Sequence, residues 1–487
     1  MKLYQTISRL LMAFLLLGGV ISCAGKDKTK PNGPDNPPNG KKVQVFLTKG
    51  DKTALFAKQN EIEFIQSVPT GMAVMRIDTG FKFQVVEGYG AALTGSSAWL
   101  INRKLTPSAR QTLLSELFNP TDGIGVSYLR LTMGASDFSL SDFTYNDLPS
   151  GQTDFELQQF SLAQDYDDVI PVLKEILQVV PDIKVLGSPW SPPAWMKTNN
   201  NLKGGKLKTA CYDVYADYFV RYINAMKQEG ISIDAITIQN EPLHFSANYP
   251  CMEMQATEQL NFIKSHLGPK FTAAGLKTKI ITYDHNWDEP NYPITILNDP
   301  AAKQYVTGSA FHAYAGDVSA MSTVHNAHPD KGLYFTEISG GAWATDFAGN
   351  LMWNMRNIFI GTARNWSKNA LLWNLALDEN YGPQNNGCNN CRGVITINST
   401  SGEITRNEEY YAIAHFSKFV RPGAVRVSGN LPQSAGDAGV VAFRNADGTM
   451  VLIAANYGNQ ATSFAVEQDS TIFTVNIPAV SVVTFVW

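Results

Sequence analysis

The sequence has no excess of positive charge, and motifs that mark several common enzyme classes are missing from it. Its 39 Lys and Arg residues stand against 43 Asp and Glu residues, for a net charge of −4. Proteins that bind phosphate backbones depend on a basic surface, so we expect no nucleic acid partner. The sequence contains no G-x-S-x-G elbow, the motif that would indicate a serine hydrolase. His325 and His328 lack the helical His-Glu motif of zinc enzymes, and we expect neither a metal nor an organic cofactor.

The N-terminus has the features of an export signal. Two basic residues accompany an apolar stretch at residues 10–20, which is too short for an ordinary membrane-spanning helix. Ser22 directly precedes Cys23, as at bacterial lipoprotein cleavage sites, which predicts removal of residues 1–22 and a lipid on Cys23. The alternative is an ordinary secretory signal with a buried Cys23. Residues 23–42, rich in Pro, Gly, Asn and Lys, predict a disordered tether. We therefore expect an exported protein anchored to the bacterial outer membrane, on the cell surface or facing the periplasm.

Four further cysteines remain after the signal segment: Cys211, Cys251, Cys388 and Cys391. The last two form a C-x-x-C that could begin a zinc site, but the other two lack the second paired spacing. In an exported protein, disulfides or free thiols are the better interpretation. A Cys388–Cys391 bridge would close a short loop, and the sequence leaves the pairing open.

The two ends of the chain resemble each other and differ from the middle. Residues 43–82 and 423–487 contain short alternating runs that predict antiparallel strands. In residues 83–422, eight apolar runs alternate with helical patterns. The eight runs are residues 83–90, 126–134, 183–190, 235–241, 279–286, 306–314, 332–339 and 369–377. Eight such units predict an α/β fold, the (β/α)8 TIM barrel. A doubly wound parallel sheet is the alternative, but no glycine-rich phosphate turn follows the first run.

Two glutamates stand where a barrel would place its active site. Each run begins apolar and ends polar or aromatic, and TIM-barrel sites gather at the C-terminal ends of the strands. Glu241 ends the fourth run, and Glu337 lies near the end of the seventh. Taken singly, Asn-Glu-Pro is explained by a turn or a helix cap, and Thr-Glu by a strand end whose polar groups are hydrogen-bonded. Together at a barrel mouth, two carboxylates predict glycoside hydrolysis, in which one protonates the leaving oxygen and the other attacks the anomeric carbon or activates water.

Other side chains at the run ends complete the candidate site. Asn240 can hydrogen-bond the sugar hydroxyl beside the anomeric carbon. Trp190 and Trp373 offer flat apolar faces to sugar C–H groups, although large aromatics also pack in cores. We interpret His285 and His312 as donors behind the site or as packed histidines. The further polar residues at run ends include Arg130, Asp137, Asp284 and Tyr314.

Eight recognisable motifs follow one another along the chain: EGYGAALTGSSAWL, LRLTMGASDFSL, GSPWSPPAWMKTN, TIQNEPL, FHAYAGD, YFTEISGG, LLWNLALDEN and HFSKFVRPGAVRV. Together they resemble glycoside hydrolase family 30, which includes the acid β-glucosidases called glucosylceramidases. The resemblance covers nearly the whole chain after the signal segment, and SPWSPPAWMKTN and HFSKFVRPG are its most specific parts. It implies a (β/α)8 barrel with an attached β-sandwich built from both chain ends.

The resemblance also implies roles for individual residues. Glu241 would be the general acid/base and Glu337 the nucleophile, with Asn240 supporting the substrate. Glu241 would then need a raised pKa while Glu337 is ionised, and the charge of Glu337 supplies part of that shift. The residues placed around the sugar are Arg130, Asp137, Trp190, His312, Tyr314 and Trp373.

Three of these residues have expected functions of their own. Asp137 would accept hydrogen bonds from remote hydroxyls, Tyr314 would donate near the nucleophile, and Arg130 would orient the carboxylates.

The expected activity is that of a retaining β-glycoside hydrolase, specifically an endo-β-1,6-glucanase that opens glucan chains for import alongside other polysaccharide-uptake proteins. GYGAALTGSS and the CNNCRG segment at 388–393 look more like the β-1,6-glucanase branch of the family than the lipid-cleaving branch. Ser136 stands where glucosylceramidases usually carry a cysteine. The alternatives are an exo-acting β-glucosidase, a glucosylceramidase or a xylanase, and, in a different class, a surface glycan-binding lipoprotein without turnover.

Overall fold

A computed structural model describes residues 42–487 of the protein. The predicted signal segment, Cys23 and all but the last residue of the predicted tether lie outside these residues. Within them, no helix is both long enough and apolar enough to cross a membrane.

The described chain opens with three strands that do not belong to the barrel. They are β1 (Gln44–Lys49), β2 (Ala57–Lys58) and β3 (Val74–Val85). β1 and β2 pair as antiparallel neighbours. β3 is 12 residues long and buries Met75 and Ile77 at alternate positions, as expected for a strand with one face on a core.

Eight parallel strands form the barrel in the middle of the chain. They are β4 (Gly88–Leu93), β5 (Tyr128–Met133), β6 (Lys184–Pro189), β7 (Ala235–Thr237), β8 (Lys279–Asn286), β9 (Val306–His312), β10 (Gly332–Glu337) and, after the two-residue β11 (Gly340–Gly341), β12 (Asn369–Leu372). Sequential strands from β4 to β10 are neighbours, and β12 pairs with β4. The ring closes where the Lys368 N–H donates to the Leu333 carbonyl at 2.9 Å and the Phe335 N–H donates to Asn369 Oδ1 at 2.8 Å. Seven of the eight predicted runs contain a whole barrel strand and the first contains the start of one, so the predicted TIM barrel is confirmed.

Helices cover the outside of this barrel. Those within the described residues are α1 (Gly95–Arg103), α2 (Pro107–Phe118), α3 (Val169–Val179), α4 (Tyr212–Gln228), α5 (Ala256–Phe262), α6 (Gly268–Ala273), α7 (Asn291–Leu297), α8 (Pro300–Lys303), α9 (Ser319–Ala327), α10 (Phe347–Trp353), α11 (Ile360–Arg364) and α12 (Glu408–Ser417). α4 shows why such segments are helical: Tyr215, Phe219, Tyr222 and Met226 recur every three or four residues and are all buried. Single π-helical turns at Ile263–Leu267 and Asn354–Phe359 join α5 to α6 and α10 to α11.

The chain leaves the barrel through short strands and ends in six longer ones. The short strands are β13 (Ala376–Leu377), β14 (Cys391–Arg392), β15 (Ile395–Ile397) and β16 (Ile404–Arg406). The longer ones are β17 (Val425–Gly429), β18 (Ala438–Arg444), β19 (Met450–Asn456), β20 (Thr462–Gln468), β21 (Thr471–Ile477) and β22 (Ser481–Val486). These six strands and the three N-terminal strands pair in the order β2-β1-β22-β19-β18-β17-β3-β20-β21, so strands from both chain ends interleave. The predicted β-sandwich built from both ends is confirmed.

β3 extends past the predicted end of the N-terminal strand region at residue 82. Val85 pairs with Val425 of β17, and the first barrel strand begins only at Gly88. The first predicted run, residues 83–90, therefore contains the end of one sandwich strand and the start of one barrel strand.

A buried histidine connects the barrel to the sandwich. His415 of α12 shares hydrogen bonds of 2.8 Å with the hydroxyls of Thr48 in β1 and Thr484 in β22. Burial lowers the pKa of His415 to about 3, so it is neutral in the folded protein.

Candidate active site

The barrel interior changes from apolar to polar toward the C-terminal ends of its strands. One buried apolar residue from each of seven strands forms a layer: Tyr128, Leu186, Ala235, Ile281, Ala310, Tyr334 and Leu371. Side chains on one face of a strand recur at every second residue, so the next inward positions lie two residues further on. In six of the seven strands those positions hold Arg130, Ser188, Thr237, His312, Thr336 and Trp373, all buried. The floor of the site is therefore largely apolar, and most of the layer above it can form hydrogen bonds.

Two β-bulges turn acidic side chains into this polar layer. The register of β8 against β9 shifts between Tyr283 and His285, and that of β10 against β9 shifts between Phe335 and Glu337. A bulge adds one residue to a strand and re-aims the side chains that follow it. Asp284 and Glu337 consequently lie three residues beyond the apolar layer instead of two, and both are buried.

Arg130 and Asp284 form the buried centre of the site. Arg130 Nη2 donates to Asp284 Oδ2 and to Asn240 Oδ1, both at 2.8 Å, and Nη1 donates to Glu337 Oε2. The Asp284 carboxylate also accepts hydrogen bonds from Ser188, Thr237 and Thr336. Burial alone would raise the pKa of Asp284, but the charges of Arg130 and His312 outweigh it and hold the pKa far below its usual value. Asp284 is therefore ionised and balances the charge of Arg130.

Glu337 is held at both carboxylate oxygens. Oε2 accepts from Arg130, and Oε1 accepts from the Tyr314 hydroxyl at 3.0 Å. Two donors fix the orientation of the carboxylate, and each favours its charged form.

Glu241 follows β7 and reaches the same space from the opposite arc of the barrel. Its backbone has φ of 44°, a left-handed conformation that is uncommon outside glycine, just before Pro242. Its N–H donates to the Asp284 carbonyl at 2.9 Å, and its Oε1 lies 3.1 Å from His312 Nδ1. Such strained positions persist where surrounding contacts hold them, and they cluster at functional sites.

The two glutamates are close enough to act on one bond. A carboxylate oxygen of Glu241, a ring nitrogen of His312 and a carboxylate oxygen of Glu337 lie within 4.8 Å of one another. Retaining glycosidases place their two carboxyl groups about 5–5.5 Å apart, whereas inverting enzymes leave about 6.5–9.5 Å for a water molecule. The close approach of the two carboxylate oxygens therefore favours the retaining class over the inverting class.

The same three side chains could in principle ligate a metal ion, but their donor atoms already have partners. His312 contacts Glu241 through Nδ1 and Asp284 through Nε2, and Glu337 is paired with Arg130. A cation here would have to displace a buried guanidinium and compete with a positively charged imidazole.

His312 is positively charged at neutral pH. Burial lowers its pKa, but the charges of Glu337 and Asp284 outweigh burial and raise the pKa to about 9. The site therefore contains two cations, Arg130 and His312, among three carboxylates.

The pKa of Glu241 moves in the direction opposite to the sequence-based expectation. Burial raises it, but His312 and two further histidines outweigh burial, and the net shift is downward. For Glu337 burial raises the pKa more than His312 and Arg130 lower it. The expectation failed because it considered the charge of one glutamate on the other and not the charge of His312.

A cavity of about 400 Å³ opens above this pair. It is lined by Asp137, Glu241, His244, Tyr249, His285, Asn286, Tyr314, Glu337, Trp343, Trp373, Cys388 and Cys391. Asp137 Oδ1 has no hydrogen-bond partner among residues 42–487. Burial, together with the charges of Glu337 and Glu241, raises the pKa of Asp137 well above its usual value. A cavity lined by a carboxyl group with an unpartnered oxygen and by the indole of Trp373 suits a ring that carries both hydroxyl and C–H groups.

Four of the predicted site residues stand behind the cavity instead of on its wall: Arg130, Trp190, Asn240 and His312. Trp190 stacks on Trp373 with ring centroids 4.9 Å apart, and the guanidinium carbon of Arg130 lies 4.9 Å from the Trp190 ring. Trp190 is 2% exposed. It supports Trp373 and Arg130, and the flat face it was expected to offer a sugar is not on the cavity wall.

Several wall residues were not identified from the sequence as part of the site. They are His244, Tyr249, Asn286, Trp343, Cys388 and Cys391. Most of them come from loops, where no periodic pattern signals their direction. The sequence left the pairing of the cysteines open, and in the structure Cys388 and Cys391 form a disulfide. Cys211 and Cys251 are buried thiols.

Comparison with known proteins agrees with this geometry. The Glycosyl hydrolase family 30 TIM-barrel domain matches residues 86–420, and the Glycosyl hydrolase family 30 beta sandwich domain matches residues 423–485. An endo-1,6-beta-D-glucanase of Neurospora crassa is 37% identical over 419 residues, which cover 83% of this chain and 85% of that protein. The lysosomal acid glucosylceramidase of Mus musculus is 28% identical over 456 residues, covering 87% and 85%. The solved structure of the endo-beta1,6-glucanase BT3312 matches with a TM-score of 0.86 and 36% identity, covering 92% of this chain and 99% of that one. The chain is therefore a glycoside hydrolase and belongs to glycosyl hydrolase family 30.

Proposed function

We propose that this glycoside hydrolase cleaves β-1,6-glucan within the polymer and retains the anomeric configuration. The observation that supports the chemistry is the spacing of Glu241 and Glu337, whose oxygens lie within 4.8 Å. The linkage is supported by similarity to two proteins named as endo-β-1,6-glucanases, at 37% and 36% identity. The glucosylceramidase compared with it is more distant, at 28%.

In the first step Glu337 attacks the anomeric carbon while Glu241 protonates the leaving oxygen. The bond from the anomeric carbon to the glycosidic oxygen breaks, and a glycosyl ester forms on Glu337. Arg130 and Tyr314 hold Glu337 in line for this attack through hydrogen bonds to its two oxygens.

His312 supplies the proton that Glu241 needs. Its Nδ1 lies 3.1 Å from Glu241 Oε1, and its Nε2 lies 3.1 Å from Asp284 Oδ1. When the Nδ1 proton moves to Glu241, the imidazole becomes neutral and keeps its Nε2–H, which donates a hydrogen bond to Asp284. In the second step Glu241 takes a proton from water, and the hydroxide breaks the ester with net retention.

A product profile tests the proposal. The protein would be incubated with pustulan, a linear β-1,6-glucan, and separately with β-1,3- and β-1,4-glucans, xylan and glucosylceramide. We expect short β-1,6 oligosaccharides of several lengths early in the reaction, with the β anomer detected first by proton NMR. Release of glucose alone from chain ends would refute internal cleavage, and a first product in the α form would refute the double displacement.

Two variants serve as controls for this experiment. Glu337→Gln removes the nucleophile with little change in shape and should abolish hydrolysis. Glu156→Gln makes the same chemical change at an exposed position away from the cavity and should leave activity unchanged.

We also propose that the enzyme is anchored to the outer membrane by a lipid on Cys23. The support is the sequence alone, an apolar segment followed by Ser22 and Cys23. In a bacterial host, radiolabelled fatty acid should be incorporated into the wild-type protein, which should sediment with membranes. The Cys23→Ser variant should take up no label, and equal labelling of both proteins would refute the anchor.

A further inference from the structure

A second cavity lies directly beside the catalytic one. It has a volume of about 500 Å³, and Tyr314 and Trp343 line both cavities. A ligand longer than one sugar ring can therefore occupy both. None of the residues that act in the proposed reaction, Glu241, Glu337 and His312, lines this second cavity.

Two tryptophans line the second cavity with large parts of their surface exposed. Trp343 is 55% exposed and Trp353, at the end of α10, is 43% exposed. Exposed indoles on the wall of a cavity offer flat apolar faces, the surface on which the C–H faces of pyranose rings bind.

The cavity also contains a buried carboxylate with an unused oxygen. Glu409 is 3% exposed, and its Oε1 accepts a hydrogen bond from Arg392 Nη2 at 2.9 Å. Its Oε2 has no hydrogen-bond partner anywhere in the described part of the chain. A buried polar atom without a partner destabilises a protein, and a sugar hydroxyl would relieve that cost. An acyl chain would leave it in place, which favours a sugar over a lipid tail as the occupant.

The wall around Glu409 is built by two chain segments that pair with each other. Gly340 and Gly341 of β11 pair with Arg392 and Cys391 of β14, and the disulfide at Cys391 ties β14 to its own loop. A Cβ atom at Gly340 would overlap Glu409 Oε1, so a larger residue there would displace the carboxyl group. The Glu409 carboxyl group is therefore held between Gly340 of β11 and the guanidinium of Arg392 in β14.

We propose that this second cavity is a glucan subsite, which binds a neighbouring glucosyl unit of the substrate chain by stacking on Trp353 and hydrogen bonding to Glu409. The proposal rests on the proposed function in one respect, that the substrate is a glucan. It does not depend on the linkage.

Affinity as a function of chain length tests the subsite. The Glu337→Gln enzyme, which should bind without turnover, would be titrated calorimetrically with methyl β-glucoside and with β-1,6-, β-1,3- and β-1,4-linked gluco-oligosaccharides of two to five units. Trp353→Ala, Trp353→Phe and Glu409→Gln would each be added to this background. The matched control is Phe81→Ala, which removes an aromatic side chain that is 58% exposed on β3, outside both cavities.

The expected result is a loss that appears only with oligosaccharides. Trp353→Ala should weaken oligosaccharide binding about tenfold, which corresponds to roughly 1.4 kcal/mol, and leave methyl β-glucoside within twofold. Trp353→Phe should recover most of the loss, Glu409→Gln should weaken binding about fivefold, and Phe81→Ala should change nothing. Melting temperatures of the variants would show that each is folded.

Other outcomes separate this proposal from the proposed function. Unchanged oligosaccharide affinity in both Trp353→Ala and Glu409→Gln, or an equal loss for the monosaccharide, would overturn the subsite even if pustulan is cleaved. The expected losses with β-1,3- or β-1,4-linked oligomers alone would keep the subsite and refute the linkage. Weaker binding of glucosylceramide to Trp353→Ala, with every oligosaccharide unaffected, would identify the cavity as a lipid site and overturn the proposal.

Discussion

The buried His312 should make the stability of this protein depend on pH in the alkaline range. Its pKa in the folded protein is about 9, against an ordinary value of 6.5. Because the folded state binds this proton more tightly than the unfolded state, the stabilisation is complete below pH 6.5 and is lost as the pH rises to about 9. One pKa unit corresponds to about 1.4 kcal/mol, so the rise from 6.5 to about 9 corresponds to roughly 3 kcal/mol in the free energy of unfolding.

The His312→Gln variant should lack this dependence, because glutamine has no proton to lose in this range. Urea unfolding followed by tryptophan fluorescence, at a series of pH values between about 6 and 10, would give the difference in unfolding free energy between wild type and variant. We expect that difference to be largest at the acid end of the series and to fall by roughly 3 kcal/mol toward the alkaline end. The control is His325→Gln, because burial and Arg426 lower the pKa of His325 and nothing titrates there above neutral pH. A difference that is the same at every pH would refute the reasoning.

Three further predictions concern the active site and the domain interface. Glu241→Gln should reduce kcat on glucan by about 10²–10⁴-fold, measured by chromatography of products, and near wild-type turnover would exclude it as the acid. Asp284→Asn leaves Arg130 with one fewer buried carboxylate and should lower the free energy of unfolding by about 3–5 kcal/mol in urea, so an unchanged urea midpoint would contradict the buried pair. His415 shows the opposite pH dependence from His312: its pKa is lowered to about 3, so its stabilisation is complete above pH 6.5 and is lost as the pH falls toward 3. His415→Gln should therefore lose less stability on acidification than wild type, by up to roughly 5 kcal/mol, and parallel curves for the two proteins would contradict it.

Local pattern was sufficient to predict the barrel and the position of its acidic pair along the chain. An apolar run bounded by helical periodicity indicates a buried segment to within a few residues, and each of the eight runs contains all or part of a barrel strand. The end of a strand is likewise visible in the sequence, which placed Glu241 and Glu337 at the mouth. The predicted boundary between residues 82 and 83 falls inside β3, which continues to Val85 and pairs there with Val425. Pairing between residues so far apart in the chain produces no pattern among neighbouring residues.

The loop residues that complete the site could not be predicted from local pattern. Trp343 and Tyr249 line the cavity, yet each lies in an irregular segment where no period fixes the direction of a side chain. Trp190 illustrates the converse: its place at a strand end was visible, but Trp373 packs against it and takes the position on the wall.

The sequence by itself determined that a closed barrel with two carboxylates at its mouth would form, because burial, periodicity and strand ends are properties of neighbouring residues. Only the tertiary structure decided how protons and charges are distributed there. Two bulges turn Asp284 and Glu337 inward, and Arg130 meets Glu337 across 207 residues of chain. His312 lies between Glu241 and Asp284, where it lowers the pKa of Glu241. Electrostatic interaction depends on distance through space, and that distance is set by the closure of the whole barrel.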